Sequence, residues 1–439
     1  MRKKLLAGAA IKDITPNRSL FLYGYPYVER MSKGVHDPLY VSALVLDNGE
    51  DAIVFCAVDI VFITKEITAG VRKILRDEID VPVENIMISA SHTHSGPMTK
   101  SVLFADPVVP PADKEFITDF INQIAEVIIE ACNNRIEAEL AITTADGKGV
   151  GGNRINKTGP IDPEIPVIVV RKADNKELYA VSTTYCMHPT VIHENSKFYS
   201  ADFPGYTREY LSEKFGKELI YLYQTGPEGN QSPRHFISGT NFDEAKRLGY
   251  LLGERIYKAI NGIEKNRFKK NVKLKAVSSL IDLPKRDFSS VEDAEKMSRG
   301  ADEEYNRLKK QGADPKEVRT AECARFGYDE AITLTKMANS GKLEDVYREI
   351  LPAEIAVFLV DEIVFVSLPC EIFVEYSLWI KERSHRKAYV LCLTNGTLET
   401  YIITREGMKQ GGYEAAATLF LPDAGEKLVD ESIKLIESL

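Results

Sequence analysis

The stretch YVSALVLDNGEDAIVFCAVDIVFI, residues 40–63, indicates the fold class of this 439-residue chain. It predicts two apolar strands joined at an Asn48-Gly49 turn, because Asn-Gly is a preferred two-residue hairpin connection. The amphipathic sequence at 65–79 predicts a helix, and NIMISA at 85–90 predicts another buried strand. Strands that alternate with helices predict an α/β fold.

The rest of the chain repeats these signals. A helix is predicted at 114–134, another at 207–216, and a final one near the end of the chain. Further strands are predicted at AELAITTAD, PVIVVRKAD, LYAVSTTYCMH, ELIYLYQ, AEIAVFLVDEIVFVSLPCEIF and AYVLCLTNG, followed by a tail loop at 401–420. We therefore expect one domain, residues 1–439, with mixed β-sheets flanked by helices.

Residues 287–344 differ in composition from the rest of the chain. The segment contains charged, helix-forming sequence such as VEDAEKMSRGADEEYNRLKKQG and lacks the apolar density of a core segment. This composition predicts a helical insertion or lid that shapes the entrance to a site.

The bulk composition excludes several classes of protein. Lys and Arg number 56 against 65 for Asp and Glu, so the net charge is -9, and nucleic acid is not an expected partner. No apolar run approaches the roughly 20 residues that span a bilayer. The start of the chain is interrupted by Lys12 and Asp13 and predicts a strand rather than an export signal. Six scattered cysteines without a CxxC pair suggest a reducing, cytoplasmic location.

Two of the seven histidines stand in SHTHSGP, residues 91–97, directly after a predicted strand. We expect the side chains of His92 and His94 to point to opposite sides, so the two residues need not both bind one ion. One of them could bind a metal while the other faces substrate or orients a ligand. The turn that Ser95-Gly96-Pro97 makes at a strand end is typical of functional positions in α/β proteins.

Further metal ligands are predicted at two other strand ends. His188 ends the strand LYAVSTTYCMH, His193 follows five residues later, and either could bind a metal. His188 repeats the placement of His92 and is preferred. A catalytic zinc ion commonly has three protein ligands and an open position, and Glu371 in SLPCEIF offers a carboxylate after another apolar strand. These residues favour a zinc-dependent hydrolase.

Other catalytic motifs fit poorly. A metallo-β-lactamase-like site would continue as HxHxDH, and an amidohydrolase barrel would place its HxH on the first strand. There is no GxSxG serine elbow, because the sequence around Ser232 lacks the small residue two positions later. Asn156 occupies the second glycine position that a phosphate loop requires, so a nucleotide site is not predicted.

The motifs together resemble the catalytic N-terminal domain of the neutral/alkaline non-lysosomal ceramidase family. The resemblance covers most of the chain, and each motif is weak alone, whereas nine in the family's order are specific. The motifs are AGAAIKDITP, GVHDPLYVSALVL, AVDIVFI, SASHTHSGP, GGNRINKTGPIDPEI, HPTVI with YSADFPGY, TGPEGNQSP, LPCEIF and YIITREGMKQGGYEAAATLF.

The resemblance implies a site and a mechanism. It implies that the ligands of a Zn²⁺ ion are His92, His188, Glu371 and Tyr401. The second histidine of the motif, His94, lies beside the scissile bond in the family and would protonate the departing amine. The resemblance implies that Arg154 and Tyr413 contact the reacting carbonyl, and that Ser232 contacts the substrate rather than acting as the nucleophile.

Departures from the family affect the expected substrate. The secreted members carry a further immunoglobulin-like domain, which we do not expect in this chain. Cys370 stands before the glutamate where the family has glycine, and Asn230 and Gln231 replace Asp-Val before Ser232. The expected function is hydrolysis of a linear amide, either ceramide-like or a smaller N-acyl amine. The alternatives are a zinc esterase or lactonase with the same ligands, and a protein that binds metal or lipid without catalysis.

Overall fold

A computed structural model describes residues 4–25, 28–102, 109–398 and 400–439. The strands in these ranges are β1 (Leu6–Asp13), β2 (Tyr40–Asp47), β3 (Ala52–Val58), β4 (Ile86–Ala90), β5 (Ile136–Asp146), β6 (Gly152–Asn153), β7 (Glu164–Lys172), β8 (Leu178–Tyr185), β9 (Ile220–Thr225), β10 (Gln231–Ser232), β11 (Leu274–Ile281), β12 (Ala353–Val360), β13 (Ile363–Ser367), β14 (Glu371–Ile372), β15 (Lys387–Leu391) and β16 (Tyr401–Ile402). The α-helices are α1 (Lys65–Leu75), α2 (Lys114–Asn133), α3 (Phe203–Phe215), α4 (Phe242–Asn261), α5 (Val291–Gln311), α6 (Pro315–Asn339), α7 (Leu343–Ile350), α8 (Val374–Arg383), α9 (Arg405–Gln410), α10 (Tyr413–Ala417) and α11 (Asp423–Glu437).

The strands form two mixed sheets and two short strand pairs within the described part of the chain. The larger sheet has the order β4-β3-β2-β1-β5-β7-β8-β9, and the smaller one has the order β11-β12-β13-β15. The pairs β3–β4, β8–β9 and β13–β15 are parallel, and the other neighbours in these sheets are antiparallel. The predicted α/β class with mixed sheets is therefore confirmed.

The two sheets pack face to face through apolar side chains. Phe55 on β3 lies between Phe358 and Phe365 of the smaller sheet, with ring centroids 5.5 and 5.6 Å apart. Leu44 belongs to this inner layer, whereas its neighbour Val45 faces the helices on the other side of β2. Burial on both faces explains why this strand has an almost continuous apolar sequence instead of a polar alternation.

Helices cover the outer faces of both sheets and complete a four-layer arrangement. Helix α2 packs on β1 and β2, and α4 packs on β5 and β7. On the other side, α11 packs on β11 and β12, while α8 packs on β15. Across the described ranges, no helix combines the length and the apolar composition that crossing a bilayer would require.

The ends of three strands meet at one edge of this arrangement. The Thr225 hydroxyl at the end of β9 donates to the Ser91 carbonyl after β4 over 2.6 Å. The Cys392 N–H after β15 donates to the Thr225 carbonyl over 2.8 Å, and the Ala90 N–H donates to the Leu393 carbonyl over 3.2 Å. The loops that leave these strands are therefore held together, and they carry the polar residues singled out in the sequence.

The segment predicted as a helical insertion at 287–344 consists of helices. Helices α5 to α7 run from Val291 to Ile350, beyond the predicted end at residue 344. Leu334 lies inside the predicted segment, Val346 and Ile350 follow it, and all three are buried in the main apolar core. A few apolar residues on one face of a helix are enough to bury that side.

The segment at 401–420, predicted as a loop, contains β16, α9 and α10. Its first residues, Tyr401 and Ile402, pair in parallel with Glu371 and Ile372. The prediction of a loop is therefore wrong. Strand β16 has only two residues and is stabilised by a partner 30 residues earlier in the chain, a contact that no local pattern reveals.

Candidate active site

The loop after β4 sets the position of the first two histidines. His92 has a left-handed backbone conformation with φ 68°, and its N–H donates to the Ile60 carbonyl over 2.8 Å. Its Nδ1 lies 3.0 Å from the Val61 carbonyl and therefore carries the proton, which leaves the Nε2 lone pair free. The His92 and His94 ring centroids are only 4.8 Å apart. The expectation that the two side chains point to opposite sides is wrong, because only successive residues of an extended chain alternate, whereas residues two apart share a face.

His94 lies closer to the pocket than His92. Its Nε2 is 3.3 Å from the His92 Nε2, and its buried Nδ1 has no hydrogen-bond partner among the described residues. Burial and the neighbouring His92 and His188 hold the pKa of His94 well below its ordinary value. A Cβ atom at Gly24 would lie 2.4 Å from the His94 ring, so only glycine fits against this imidazole. His94 is therefore a neutral imidazole in a closely fitted position.

His188 follows β8 and is fully buried. Its Nδ1 lies 2.8 Å from the Glu228 carbonyl and 3.1 Å from the Gln231 carbonyl, so Nδ1 carries the proton. Its Nε2 is 3.0 Å from the Glu371 Oε2. Burial and the charge of Arg154 lower the pKa of His188 to about 3. His188, like His92, therefore turns its Nε2 towards Glu371.

Glu371 and Tyr401 are held side by side by the pairing of β14 with β16. The Glu371 Oε2 lies 3.4 Å from the His92 Nε2 and 3.0 Å from the His188 Nε2. Burial opposes ionisation of Glu371, but His92 and His188 outweigh it and hold its pKa well below the ordinary value. Burial and the charge of Glu371 raise the pKa of Tyr401 well above its usual range. The four predicted zinc ligands thus lie in one buried cluster.

Glu228 belongs to the same cluster and was not predicted from the sequence. The residue is fully buried, and neither carboxylate oxygen has a hydrogen-bond partner of ordinary geometry among the described residues. Burial and the charge of Glu371 raise its pKa well above the ordinary value, although Arg154 and the Cys392 thiol oppose the shift. A carboxylate within the Gly- and Pro-rich loop after β9 is the sequence signal that could have identified this residue.

Arg154 lies next to the cluster and is fixed by two partners. Its Nε donates to the Glu414 Oε1 over 2.7 Å, and its Nη2 donates to the Tyr401 hydroxyl over 3.2 Å. Burial opposes its charge, but Tyr401 and Glu414 outweigh it and raise the pKa of Arg154 well above the ordinary value. The Tyr413 ring is 5.6 Å from the Tyr401 ring. The partner Glu414 was missed because it lies in α10, 260 residues from Arg154.

Ser232 lies in β10, beside the segment that carries Arg154. Ser232 pairs with Gly152, and the Arg154 N–H donates to the Asn230 carbonyl over 2.8 Å. The Ser232 hydroxyl accepts a hydrogen bond from the Arg234 N–H over 3.3 Å. Within the described ranges no imidazole or carboxylate bonds to this hydroxyl, so the structure contains no base that would activate Ser232 as a nucleophile.

A pocket of about 1110 Å³, its open mouth included, lies above the buried cluster. The predicted site residues that line it are His94, Arg154, Ser232, Tyr401 and Tyr413. Helix α6 supplies another part of the wall with Arg319, Thr320, Cys323 and Phe326. The predicted lid segment thus contributes directly to the pocket.

The structure distinguishes the two histidines that the sequence left open. The His188 ring is 4.6 Å from the His92 ring. His193 instead lies on the pocket wall, 6.1 Å from the Tyr25 ring. Burial and the charge of Arg319 lower the pKa of His193 to about 4. His188 is therefore the histidine that joins the cluster.

Two groups of described residues could hold a metal ion. They are His92 with His94 and His188, and His92 with Glu228 and Glu371, and within each group the donor atoms lie within 4.8 Å of one another. Imidazole nitrogens suit a transition metal, and the buried oxygens of Glu228 suit a cation of any kind. The donor set therefore fits a divalent metal such as zinc.

Comparisons with known sequences identify relatives of this chain. Residues 5–239 match the sequence model of the family described as neutral/alkaline non-lysosomal ceramidase, N-terminal. Neutral ceramidase B from Dictyostelium discoideum is 26% identical over 226 residues, which cover 47% of this chain and 31% of that protein. The match thus spans about a third of the length of this curated relative.

Two solved structures have a similar fold. The neutral ceramidase from Pseudomonas aeruginosa has a TM-score of 0.75 and 18% sequence identity, and the match covers 100% of this chain and 75% of that one. A ceramidase complexed with C2 gives the same TM-score and identity and is covered to 76%. Likeness at this identity shows the fold, and it includes the segments with Glu371, Tyr401 and Tyr413 that lie beyond residue 239.

Proposed function

The chain belongs to the neutral/alkaline non-lysosomal ceramidase family, and on this premise we propose that it is a zinc-dependent hydrolase that cleaves a linear amide. One observation carries the proposal. The Nε2 atoms of His92 and His188 lie 3.4 and 3.0 Å from the same carboxylate oxygen of Glu371. The relatives are named ceramidases, so an N-acyl amide, either ceramide-like or smaller, is the proposed substrate.

The residues that would hold the zinc ion are His92, His188, Glu371 and Tyr401. Two imidazole nitrogens and a carboxylate are a common donor set of catalytic zinc. When bound, zinc acts as a Lewis acid and makes water nucleophilic near neutral pH. Glu228 supports a cation at this place, because its two buried oxygens have no other partner within the described ranges.

The residues beside the cluster would bind the reacting carbonyl. Arg154 lines the pocket and is held in place by Glu414 and Tyr401, and Tyr413 lines the same wall. A fixed cation and a hydroxyl stabilise the negative charge that develops on a carbonyl oxygen during acyl transfer. Since both groups are positioned before the substrate arrives, little reorganisation is needed during the reaction.

His94 would pass a proton from the attacking water to the leaving amine, because as a neutral imidazole it must first accept the proton that the water loses. It lines the pocket, and its buried Nδ1 has no partner in the described part of the chain. An amide nitrogen leaves readily only when it is protonated, so a positioned imidazole assists this step. Ser232 would contact the substrate through its hydroxyl.

The proposal is tested by comparing metal content with hydrolysis of a panel of N-acyl amides, including ceramide, and of matching esters. We expect about one zinc ion per chain, loss of amide hydrolysis on chelation, and recovery on addition of Zn²⁺. Glu371→Gln should lose both zinc and activity, whereas the exposed Glu362→Gln is the matched control. Full activity after chelation would contradict the proposal, and bound zinc without turnover of any amide or ester would indicate a non-catalytic metal-binding protein.

A further inference from the structure

Arg234 lines the pocket without a charged partner. It lies in the loop after β10. Its Nη1 donates to the Thr320 hydroxyl over 3.0 Å, and its Nη2 lies 3.5 Å from the Cys323 sulfur. Both acceptors belong to α6, and neither is a carboxylate. In the parts of the chain that the structure describes, no Asp or Glu forms an ion pair with Arg234.

The other two arginines of the pocket are paired. Arg154 makes its 2.7 Å contact with Glu414. Arg319 binds Glu194 through two hydrogen bonds of 2.8 and 3.0 Å, and Glu322 contacts Arg319 from outside the residues that line the pocket. Of the three arginines in the described lining, Arg154 and Arg319 thus have carboxylate partners and Arg234 has none.

The unpaired arginine shares its pocket with the carbonyl-binding residues. Strands β6 and β10 pair antiparallel, with Ser232 opposite Gly152, so Arg154 and Arg234 follow these strands at opposite ends of the pair. Arg154, Ser232 and Arg234 line the pocket, whereas Gly152 does not. A ligand held through its carbonyl at Arg154 and through a second group at Arg234 would thus lie within one cavity.

A purely structural role would not require a guanidinium at this position. Thr320 and Cys323 are neutral acceptors, and a sulfur atom is a weak one. A guanidinium has five N–H donors in a planar fork that matches a carboxylate. The present partners of Arg234 use two of its nitrogens, which leaves donors for a planar anion.

We propose that Arg234 binds a carboxylate of the substrate, so that the preferred amides are N-acylated amino acids rather than ceramide. This inference rests on the proposed amide hydrolysis. In an N-acyl amino acid the carboxylate is separated from the amide nitrogen by a single carbon, so both groups enter the same pocket. Val28, Ile155 and Phe326 offer apolar surface for the acyl chain.

The test uses two ligands that differ only in charge, N-octanoylglycine and N-octanoylglycinamide. With zinc-loaded enzyme, we expect kcat/KM to favour N-octanoylglycine. Arg234→Gln should lower kcat/KM for this substrate about 10- to 100-fold, mainly through KM, because hydrogen bonds between charged groups are lost. The same variant should change hydrolysis of the neutral amide about 2-fold or less, and Arg234→Lys should restore part of the preference.

Thr320→Val separates binding from structure. It removes the hydroxyl that Arg234 contacts on α6 while leaving the guanidinium charge in place. We expect it to retain the preference for the carboxylate. Equal loss on both ligands in Arg234→Gln, or a wild-type preference for the neutral amide, would overturn the inference while leaving amide hydrolysis intact.

A calorimetric measurement distinguishes this inference from the proposed function. If neither ligand is hydrolysed, the proposed amide hydrolysis fails, and binding of N-octanoylglycine still tests Arg234. Binding that weakens about 10-fold or more in Arg234→Gln supports a carboxylate site. Binding that is absent, or equal in both proteins, overturns it.

Discussion

The backbone torsion of His92 determines where its imidazole lies. A non-glycine residue with positive φ costs roughly 1–3 kcal/mol, and His92 has φ 68°. The hydrogen bonds to the Ile60 and Val61 carbonyls hold this conformation. The bond to the Val61 carbonyl also places a proton on Nδ1. The strained backbone of His92 therefore turns Nε2 towards Glu371.

At the residue scale, His94→Ala should affect amides more than esters. An alkoxide leaves without prior protonation more readily than an amine, so the loss of a proton donor matters less for an ester. We expect amide hydrolysis to fall about 10²- to 10⁴-fold, and hydrolysis of an ester with the same acyl chain to fall much less. Steady-state kinetics on the matched pair, with zinc content measured in parallel, checks this prediction.

The control for this prediction is His193→Ala, which removes a pocket histidine outside the cluster. We expect no difference between amide and ester in that variant. Equal loss on both substrates in His94→Ala, with zinc retained, would argue against proton donation. Equal loss accompanied by loss of zinc would instead identify His94 as a ligand, since its Nε2 is 3.3 Å from that of His92.

Glu228→Gln should weaken metal binding without destabilising the metal-free protein. The change keeps the shape of the side chain and removes a carboxyl group that has no hydrogen-bond partner of ordinary geometry in the described ranges. We expect the dissociation constant for Zn²⁺ to rise about 10- to 100-fold, and the melting temperature of the metal-free protein to stay unchanged or rise. Competitive chelator titration and thermal unfolding measure the two effects.

Glu139→Gln provides the contrast, because Glu139 is a buried carboxylate that binds Arg171 over 2.6 Å on β5 and β7. We expect it to lower the melting temperature of the metal-free protein and to leave zinc affinity unchanged. Wild-type zinc affinity in Glu228→Gln would show that Glu228 does not face the ion.

At the scale of secondary-structure elements, α6 both shapes the pocket and supports Tyr413. Gly327 of α6 packs directly on α10, where a Cβ atom would lie 2.9 Å from the Tyr413 Cα and from its carbonyl oxygen. This close approach requires glycine. Helix α6 therefore sets the position of a side chain that we assign to the reacting carbonyl.

Gly327→Ala should displace α10 and lower both stability and activity. Overpacking typically costs about 1–3 kcal/mol, and movement of Tyr413 should reduce kcat more than it changes KM. The matched control is Gly300→Ala in α5, where an added Cβ meets no atom within 4 Å. That variant should gain about 0.5–1 kcal/mol, because alanine favours the helix.

Denaturant unfolding and steady-state kinetics on both glycine variants check the prediction. If the Gly327→Ala variant has the stability and kcat of the wild type, α10 accommodates the extra methyl group. In that case Tyr413 would not depend on α6 for its position.

At the scale of the whole molecule, buried carboxylates link distant segments and make stability depend on pH. Asp37 accepts hydrogen bonds of 2.5 Å from the Ser200 hydroxyl and 2.8 Å from the Ala201 N–H, in the segment before α3. Burial raises the pKa of Asp37 to about 6 from its ordinary value of 3.8. The two hydrogen bonds and Arg208 oppose this shift, and Asp59 adds to it.

A raised carboxyl pKa means that the folded protein binds a proton more tightly than the unfolded chain. The contribution of Asp37 to the free energy of unfolding is therefore fully present below pH about 4 and is lost as pH rises through about 6. It amounts to at most about 3 kcal/mol. Asp37→Asn can keep the bond from the Ala201 N–H, whereas the Ser200 hydroxyl would have to accept from the new NH2 group. The change should remove this part of the pH dependence.

The measurement is the free energy of unfolding from pH 4 to 7 in wild type, in Asp37→Asn and in the exposed Asp77→Asn control. The difference between wild type and Asp37→Asn should change with pH in this window, whereas the control should follow the wild type. Parallel curves for all three proteins would contradict the assignment.

The fold class and most members of the cluster could be predicted from local sequence. Alternating strand and helix signals predicted an α/β fold, because burial on one or both faces leaves a local apolar pattern. The family motifs indicated His92, His188, Glu371 and Tyr401, and the structure brings all four together. Short motifs reveal such residues because the same local sequence both turns the chain and supplies the donor.

Contacts between residues that are distant along the chain could be read only from the tertiary structure. His188 and Glu371 are 183 residues apart, and Arg154 and Glu414 are 260 apart. Neither Glu228 as a member of the cluster nor the unpaired charge of Arg234 could be identified locally, because burial and the absence of a partner depend on every segment that surrounds a side chain. Such properties arise when strands from the whole chain pack together, and local sequence patterns do not contain them.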